Sequence, residues 1–326
     1  MSRTPAAISG EPRIVILDGY TNNPGDLSWE SFERLGRLSV YHTTPPDQLL
    51  ARCADATILL TNKTVLAASE LERLPHVRYI GVLATGVNVV DLDAARRRGI
   101  AVTNIPDYGS DSVAQHTIGL LLACACRISE LDRSVHAGEW QRRGVFSYWH
   151  QAPMELSGKT LGLIGLGAIG LRTASIATAL GMDVIAYTPS GRSAAGVSTV
   201  SLPSLQHDAH AISLHCPLTA HNDQMIDRGF LQGMRPGALL INTARGGLLD
   251  EAAVADALHS GHLGGVGVDV LSSEPPADDN PLLRAPNCII TPHSAWASRA
   301  SRSRLLHIAA ANLQAFLDGR NSNRVT

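Results

Sequence analysis

The amino-acid sequence predicts an α/β protein with two doubly wound parallel-sheet domains, and three observations support that fold class. At 326 residues, the chain is longer than one hydrophobic core usually serves, so two domains are expected. Short apolar runs typical of strands alternate with segments of helical periodicity, which is the pattern of a parallel sheet covered by helices. This alternation occurs twice, before and after a long helical segment that begins near Val113.

The first domain is predicted from four strand-like runs, which are RIVIL (13–17), ATILL (56–60), RYIGVL (78–83) and GIAVTN (99–104). One long helix is then expected from 113 to about 136, since its start carries the helix-capping residues Ser110, Asp111 and Ser112. We place the end of the first domain at the start of this helix.

The second domain is predicted from the further runs KTLGLIGLGAIG, MDVIAY, HAISLHCP, GALLINTARGG, GGVGVDV and NCIITPH. The last segment, 299–317, is apolar at helical spacing and is expected to return to the first domain. The predicted domains are therefore residues 1–109 plus 300–326, and residues 110–299.

Composition and charge argue against several kinds of partner. A formal charge of −2 and the lack of a long Lys/Arg run leave nothing to attract nucleic acid or an anionic membrane. Five cysteines without zinc-type pairing suit a reducing compartment and predict no metal. The first residues lack the apolar stretch of a secretory signal, and no later segment is long enough to cross a bilayer, so a cytoplasmic protein is expected.

A glycine-rich turn indicates dinucleotide binding. Gly165, Gly167 and Gly170 form a GxGxxG between a predicted strand and a predicted helix. In that context glycines permit a tight turn and a close approach to a pyrophosphate, whose charge faces the N–H groups at the start of the helix. The alternative is a plain glycine-rich turn, and the flanking strand and helix favour the cofactor.

The end of the following strand bears on which dinucleotide binds. NAD-binding sites of this kind place an acidic residue there to hold the ribose hydroxyls. Here Thr188 stands at the strand end and Arg192 follows, a pair that suits a 2′-phosphate. We therefore favour NADP over NAD, with the alternative that Arg192 is only a solvated loop residue.

Polar residues follow apolar strands of the second half, at the edge where open α/β sheets bind ligands. Arg245 follows LLINTA, and a guanidinium can hold a carboxylate through two parallel hydrogen bonds. Glu274 follows VGVDVLSS and His293 follows IITP. A carboxylate beside an imidazole favours the protonated form, which a general acid needs.

Each of these residues has an alternative role: Arg245 in a structural salt bridge, Glu274 as a solvated loop acid, and His293 as a core histidine. Their joint occurrence after a dinucleotide-binding pattern favours chemistry, because together they supply a substrate anchor, a proton donor and a partner for that donor. We interpret all three as catalytic.

Several motifs carry a resemblance to a known family, and they are LATGVNVVDLDAARRRGIAVTN, SDSVAQHTIGLLLA, GKTLGLIGLGAIG, SLHCPLT, NTARGGLLDEAAVADAL, GVDVLSSEPP and TPHSAWAS. From about residue 78 to the C-terminus, the chain resembles the D-isomer-specific 2-hydroxyacid dehydrogenases, most closely their glycerate dehydrogenase or hydroxypyruvate reductase branch. The family implies a flavodoxin-like substrate domain and a Rossmann cofactor domain with an interdomain cleft. It also implies a homodimer.

The resemblance implies a role for individual residues. Arg245 would bind the substrate carboxylate, His293 would give or take the proton, and Glu274 would hold His293. Backbone groups of the loop formed by Leu83, Ala84, Thr85 and Gly86 would face the substrate. Trp296 would close the pocket, unless it is a core tryptophan.

The family also implies a set of cofactor contacts beyond the glycines. These are Ala168 and Ile169 at the pyrophosphate, Cys216 and Pro217 beside the adenosine, and Thr243 and Asp269 toward the nicotinamide. Asp269 has the alternative role of a buried structural acid.

The sequence therefore predicts an oxidoreductase that moves a hydride between NAD(P)H and a small 2-keto or 2-hydroxy acid of the D series. One alternative from another class is a non-enzymatic NAD(H)-sensing adaptor. A nearer alternative is a dehydrogenase of the same family that acts on phosphoglycerate, formate or phosphite.

Overall fold

The computed structural model describes residues 10–189 and 191–326. By its internal contacts the chain divides into two compact units, Met1–Gly109 with Ala297–Thr326, and Ser110–Trp296. The first nine residues, on which the expectation of no secretory signal rests, lie outside the described residues, as does Ser190.

The first unit contains one sheet of five parallel strands. Their bounds are β1 (Arg13–Ile16), β2 (Arg37–Val40), β3 (Ile58–Thr61), β4 (Tyr79–Val82) and β5 (Ala101–Thr103), in the order β2-β1-β3-β4-β5. This is the flavodoxin-like order that the family resemblance implies. The helices between the strands are α1 (Glu30–Glu33), α2 (Pro46–Cys53), α3 (Ala68–Glu72) and α4 (Leu92–Arg97).

The second unit contains a seven-stranded parallel sheet. Its strands are β6 (Thr160–Ile164), β7 (Asp183–Tyr187), β8 (Ser198–Thr199), β9 (Ala211–Leu214), β10 (Ala238–Asn242), β11 (Leu263–Val268) and β12 (Cys288–Ile290), in the order β12-β11-β10-β9-β6-β7-β8. Its helices are α5 (Ser110–Ala125), α6 (Ile128–His136), α7 (Glu139–Arg143), α8 (Ala168–Ala179), α9 (Leu202–Asp208), α10 (Arg228–Gly233) and α11 (Glu251–His259). Counted within the unit, the strand order is that of a Rossmann fold with a seventh strand added at one edge.

The last helix, α12 (Arg299–Leu317), has the bounds expected from its periodicity. It packs within the first unit, where the ring of Phe316 lies 4.9 Å from that of Tyr79 in β4. The guanidinium of Arg302 forms two hydrogen bonds of 2.7 Å to the carboxylate of Asp26. Apolar packing against β4 and ion pairs with Asp26 therefore hold this helix within the first unit.

The expectation of one helix from 113 to about 136 is wrong, because the segment forms two helices. Arg127 has φ +57°, in the left-handed region, and a residue in that conformation cannot continue a right-handed helix. The carbonyl oxygen of Ala125 accepts a hydrogen bond of 2.8 Å from the backbone N–H of Met154 instead. A contact with a distant segment thus ends α5, and the local periodicity carries no sign of it.

Two strands were not predicted from the sequence, β2 and β8. The side chains of β2 are mostly exposed at the sheet edge, and β8 has two exposed residues. In contrast, β3, β4, β9 and β10 are buried throughout, which produces the continuous apolar runs recognised in the sequence. Within residues 10–189 and 191–326, no helix has the length and apolar character needed to span a lipid bilayer.

Candidate active site

The carboxyl ends of β10, β11 and β12 lie side by side. Asn242 pairs in register with Val268, and Val268 pairs with Ile290. Neighbouring strands lie about 4.8 Å apart, so the segments that leave these three strands begin within about 10 Å of one another. Arg245 and His293 each follow three residues after their strand ends, so the sheet brings both predicted catalytic residues to one edge.

His293 and Glu274 make the contact that the sequence analysis expected. His293 Nδ1 lies 2.6 Å from Glu274 Oε2. Because an ionised carboxylate only accepts hydrogen bonds, Nδ1 carries a hydrogen and Nε2 is the atom left to exchange a proton. The second carboxylate oxygen, Oε1, accepts from the backbone N–H of Leu271 at 3.1 Å, which fixes the orientation of Glu274.

His293 has a strained backbone that Asp269 holds in place. Its φ is +50°, in the left-handed region that side-chain-bearing residues rarely adopt. The backbone N–H of His293 donates to the backbone oxygen of Asp269 at 2.8 Å. The carboxylate of Asp269, 1% exposed, accepts at 2.9 Å from the backbone N–H groups of Ser294 and of Ala295.

These bonds give Asp269 the structural role that the sequence analysis kept as an alternative. Each carboxylate oxygen has a partner on the segment that carries His293. The contact of Asp269 with the nicotinamide stays a prediction. The sequence carries no signal for these bonds of Asp269, because the partners are backbone N–H groups that lie 25 and 26 positions away.

Arg245 lies on a loop that is fixed by a residue the sequence analysis missed, Asn242. This fully buried side chain donates from Nδ2 to the backbone oxygen of Arg245 at 2.8 Å and accepts at Oδ1 from Ala244 N–H at 3.0 Å. The guanidinium is exposed and gives one hydrogen bond, 2.7 Å, to the Ala244 oxygen. The sequence signal that could have identified Asn242 is a polar residue at the end of an otherwise apolar strand.

Gly246 joins the Arg245 loop to the segment that leads to Glu274. A Cβ atom at Gly246 would lie 1.9 Å from the carbonyl carbon of Leu271. Leu271 is the residue whose N–H holds Glu274, so the anchor of Arg245 and the anchor of Glu274 are in direct contact. The structure therefore requires a glycine here for the close approach of two backbones.

The GxGxxG turn has the geometry of a dinucleotide cradle. Gly165 has φ +102°, and a Cβ atom there would lie 2.5 Å from the backbone oxygen of His215. A Cβ atom at Gly170 would lie 2.5 Å from the backbone oxygen of Gly165, whereas one at Gly167 would point into open space. The first and third glycines are thus needed for packing, and the second leaves room for a ligand.

The helix after this turn also fits an anion. α8 begins at Ala168 and Ile169, with Gly167 before it and no acidic residue in its first turn. Free N–H groups at a helix start favour negative charge. The residues present therefore fit the pyrophosphate of a dinucleotide.

The loop after β7 presents a hydroxyl and a cation. Thr188 is 8% exposed, and its Oγ1 donates to the backbone oxygen of Arg192 at 3.1 Å. The side-chain oxygen of Thr188 can therefore only accept from a ligand. Arg192 itself is exposed, so its charge faces solvent beside this strand end.

The segment after β9 contains the predicted adenosine contacts. Asn222 Nδ2 donates to the backbone oxygen of Pro217 at 2.8 Å, which fixes the turn. Burial raises the pKa of the Cys216 thiol, so this cysteine is a neutral packing residue at neutral pH. Burial also lowers the pKa of His215 to about 4, which keeps a neutral imidazole beside the glycine turn.

The predicted substrate loop lies in the first unit, after β4. Ala84 accepts from Ile105 N–H at 3.0 Å, Thr85 Oγ1 donates to the Ile105 oxygen at 2.9 Å, and Asn104 Nδ2 donates to the Thr85 oxygen at 2.7 Å. These contacts fix the loop through its oxygens. The backbone N–H groups of the loop, including that of Gly86, are the atoms that the prediction assigns to the substrate. Trp296 is partly buried at the end of the second unit.

Comparisons with known proteins identify the family of this chain. The model of the D-isomer specific 2-hydroxyacid dehydrogenase, NAD binding domain, matches residues 118–295. The chain is 43% identical over 319 residues to the hydroxypyruvate reductase of Blautia hydrogenotrophica, covering 96% of this chain and 99% of that protein. It is 40% identical over 316 residues to the glycerate dehydrogenase of Methylorubrum extorquens, covering 96% and 98% respectively.

Among solved structures, the TT0316 protein of Thermus thermophilus is similar to this chain, with a TM-score of 0.84 at 35% identity, and the match covers 96% of this chain and all of that one. The matched family model covers more than half of the chain, and the two named relatives match it nearly end to end. The chain therefore belongs to the D-isomer specific 2-hydroxyacid dehydrogenase family.

Proposed function

We propose that this NAD(P)-dependent oxidoreductase reduces hydroxypyruvate to D-glycerate or glyoxylate to glycolate, and runs the reverse reaction on the product. The observation that carries the proposal is the 2.6 Å contact of His293 with Glu274 at the sheet edge where Arg245 also lies. The names of the two relatives, a hydroxypyruvate reductase and a glycerate dehydrogenase, support the choice of substrate.

The side chains have separate tasks in this reaction. The bound nicotinamide supplies the hydride for the keto carbon. His293 gives the proton from Nε2 to the keto oxygen, while Glu274 on Nδ1 stabilises the imidazolium form before transfer. Arg245 holds the substrate carboxylate through two N–H groups and stabilises the charge that grows on the oxygen. The carbonyl gains one hydride and one proton and becomes an alcohol.

Further contacts remain part of the proposal. We assign the backbone N–H groups of Ala84, Thr85 and Gly86 to the substrate carboxylate, and Trp296 to the wall around a small substrate. On the cofactor side we assign Thr243 and Asp269 to the nicotinamide end, and Cys216 and Pro217 to the adenosine. Variants at the substrate positions should raise the Michaelis constant for hydroxypyruvate, and variants at the cofactor positions should raise that for NADPH, which tests each assignment separately.

We propose NADP as the preferred cofactor. Thr188 stands where an acid would repel a 2′-phosphate, and Arg192 offers an exposed guanidinium four residues later. The Michaelis constants for NADPH and NADH test this preference. A lower constant for NADH than for NADPH would contradict it, and Arg192→Ala should raise the constant for NADPH alone.

We also propose that two copies of the chain associate. Apolar side chains cluster on the surface at α7 and just after it, where Trp140, Val145, Phe146 and Trp149 are 45, 49, 95 and 58% exposed. A patch of this kind marks an interaction surface in a folded protein. Light scattering should give twice the mass of the chain, and Phe146→Glu with Trp149→Glu should give the monomer mass.

The decisive experiment is a panel of 2-keto acids with NADH and with NADPH. We expect turnover of hydroxypyruvate and glyoxylate to exceed that of bulkier keto acids. Turnover of a phosphorylated substrate, formate or phosphite alone would move the chain to another enzyme of the family. Tight cofactor binding without turnover of any substrate would instead support the adaptor.

A further inference from the structure

Helix α5 reaches the segment that carries His293 at two points. Ser112 Oγ donates to the backbone oxygen of Ala295, 2.7 Å away. His116 Nε2 lies 2.9 Å from Thr291 Oγ1. Since Ser112 and His116 are four positions apart, both lie on the same face of the helix.

A glycine of β11 lets this helix lie close to the sheet. A Cβ atom at Gly267 would lie 2.9 Å from the Cβ atom of Leu120 in α5, so no larger residue fits without moving the helix. α5 packs across β10, β11 and β12. This close packing is what allows short side chains of α5 to reach the ends of the strands.

The hydrogen-bond directions in the contact of His116 with Thr291 follow from the number of hydrogens. The hydroxyl of Thr291 has one hydrogen, and it donates that hydrogen to Asp269 Oδ1 over 2.5 Å. Thr291 must therefore accept from His116, so His116 Nε2 carries a hydrogen. The same Nε2 lies 3.6 Å from Asp269 Oδ1, so His116 also faces the buried carboxylate.

His116 and Thr291 thus complete the coordination of Asp269. The carboxylate of Asp269 accepts from the backbone N–H groups of Ser294 and Ala295. The backbone oxygen of Asp269 accepts from the backbone N–H of His293. The left-handed backbone of His293 depends on these bonds. A side chain on α5 therefore restrains the orientation of the imidazole through two intermediate residues.

The neighbouring residue of α5 reaches the Arg245 loop. Thr117 is 1% exposed, and its Oγ1 donates to the backbone oxygen of Val113 at 2.8 Å. Its single hydrogen is thus used, so in the 2.8 Å contact with Thr243 Oγ1 the donor is Thr243. Thr243 precedes Arg245 by two positions, so Thr117 restrains the start of that loop.

We propose that His116 and Thr117 are positioning residues, His116 for the proton-transferring His293 and Thr117 for the carboxylate-binding Arg245. The proposal rests on the roles given to His293 and Arg245 in the proposed function. In this proposal two adjacent residues of α5 align His293 and Arg245, the two side chains that must contact the same substrate. Neither residue has to touch the substrate for this.

The first test compares His116→Leu, which removes the donor, with His116→Gln, whose amide can place an N–H group near the position of Nε2. Displacement of a reacting group by about 1 Å can cost up to about 100-fold in rate. We expect His116→Leu to lower kcat for hydroxypyruvate by about 10-fold or more, with KM nearly unchanged because Arg245 is not disturbed. We expect His116→Gln to recover most of that loss.

The control is Gln115→Leu, an exposed neighbour on the same helix, for which wild-type kcat and KM are expected. Amide hydrogen exchange of the segment 293–295 supplies a readout that does not depend on activity. Its N–H groups should exchange faster in His116→Leu than in the wild type, and at the wild-type rate in Gln115→Leu. If His116→Leu fails to fold, Thr291→Val removes the same contact from the strand side and should give the same two effects.

The second test compares Thr117→Val with Thr117→Ser. Valine removes the acceptor for the Thr243 hydroxyl, whereas serine retains it. We expect Thr117→Val to raise KM for hydroxypyruvate by about 10-fold, because a displaced Arg245 would lose about one hydrogen bond to the substrate carboxylate. KM of Thr117→Ser should stay close to the wild-type value. The exchange of segment 293–295 should not change in either variant.

Wild-type kcat and wild-type exchange in His116→Leu would overturn the proposal for His116, and an unchanged KM in Thr117→Val would overturn it for Thr117. If the wild-type protein turned over no keto acid, the proposed function would fail. In that case faster exchange of 293–295 in His116→Leu would still support the restraint of His293, and unchanged exchange would reject it.

Discussion

His293 Nδ1 lies 2.6 Å from Glu274 Oε2, and the other oxygen of Glu274 is held by the backbone N–H of Leu271. The imidazole is thereby fixed with Nε2 directed away from the carboxylate. Since general acid catalysis contributes about 10²- to 10⁴-fold, we expect His293→Ala to lower kcat by that factor. Steady-state kinetics with hydroxypyruvate measures the loss.

Glu274→Gln is the companion variant, because it keeps an oxygen acceptor for Nδ1 and removes the charge. We expect a smaller loss of kcat, about 10-fold, since the imidazolium loses the charge of its partner and the single amide oxygen cannot accept from both His293 Nδ1 and the Leu271 N–H. His293→Ala should unfold thermally at the same temperature as the wild type. A His293→Ala protein with wild-type turnover would show that another group transfers the proton.

Arg245→Lys tests the need for a two-pronged cation. Lysine keeps the charge but cannot form two parallel hydrogen bonds to a carboxylate, so we expect a higher KM and a lower kcat. Arg228→Lys is the control, because Arg228 is exposed and its guanidinium is paired with Asp256 of α11. Equal Michaelis constants in wild type and Arg245→Lys would show that Arg245 does not bind the substrate.

Gly246→Ala should destabilise the second unit, because its Cβ atom would lie 1.9 Å from the carbonyl carbon of Leu271. Forced overpacking typically costs about 1–3 kcal/mol, and a backbone neighbour cannot give way as a side-chain end does. Urea unfolding measures the loss. Gly119→Ala is the matched control, since Gly119 lies in α5 with open space around its Cβ position. Because alanine favours a helix more than glycine does, this variant should gain about 0.5–1 kcal/mol in the free energy of unfolding.

Gly167→Ala should separate cofactor binding from folding. The Cβ position at Gly167 is open, so the variant should unfold at the wild-type urea concentration without cofactor. A methyl group there would nevertheless occupy the space through which a pyrophosphate approaches the turn. We expect weaker binding of NADPH in a fluorescence titration, and wild-type affinity would show that the cofactor lies elsewhere.

The common location of the predicted catalytic side chains was predictable from the sequence because parallel strands end at one edge of their sheet. Arg245 follows the buried strand β10 and His293 follows the apolar, partly buried strand β12, and the strand order then places them together. The supporting contacts were not predictable. His116 and Thr291 are 175 positions apart, and their hydrogen bond depends on how closely α5 lies on β11.

The same reasoning explains the errors in secondary structure. β10 was recognised because both faces of the strand are buried, whereas β2 has one side at the edge of the sheet and a mixed composition. The break between α5 and α6 was missed because its cause is the contact of Met154 with Ala125, which lies outside the local sequence. Edges and long-range contacts thus set the limit of the sequence analysis.

The ion pair of Arg302 with Asp26 should make the first unit less stable in acid. Hydrogen bonds from Arg302 hold the pKa of Asp26 below its ordinary value of 3.8, which applies to the unfolded chain. The pair therefore stabilises the fold fully at pH values well above 3.8, and the contribution is lost as the pH falls through the lowered folded value. Asp26→Asn should accordingly be less stable than the wild type at neutral pH.

The difference in urea midpoint between Asp26→Asn and the wild type should shrink as the pH falls to 3.8 and below, because the wild type then loses the same charge. Asp55→Asn is the control, since Asp55 is 77% exposed and its 2.9 Å pair with Arg13 lies at the surface, where such pairs contribute little. A gap between Asp26→Asn and the wild type that stayed constant through this range would show that the asparagine acts by altering packing around α12. The charge of Asp26 would then have no part in holding that helix.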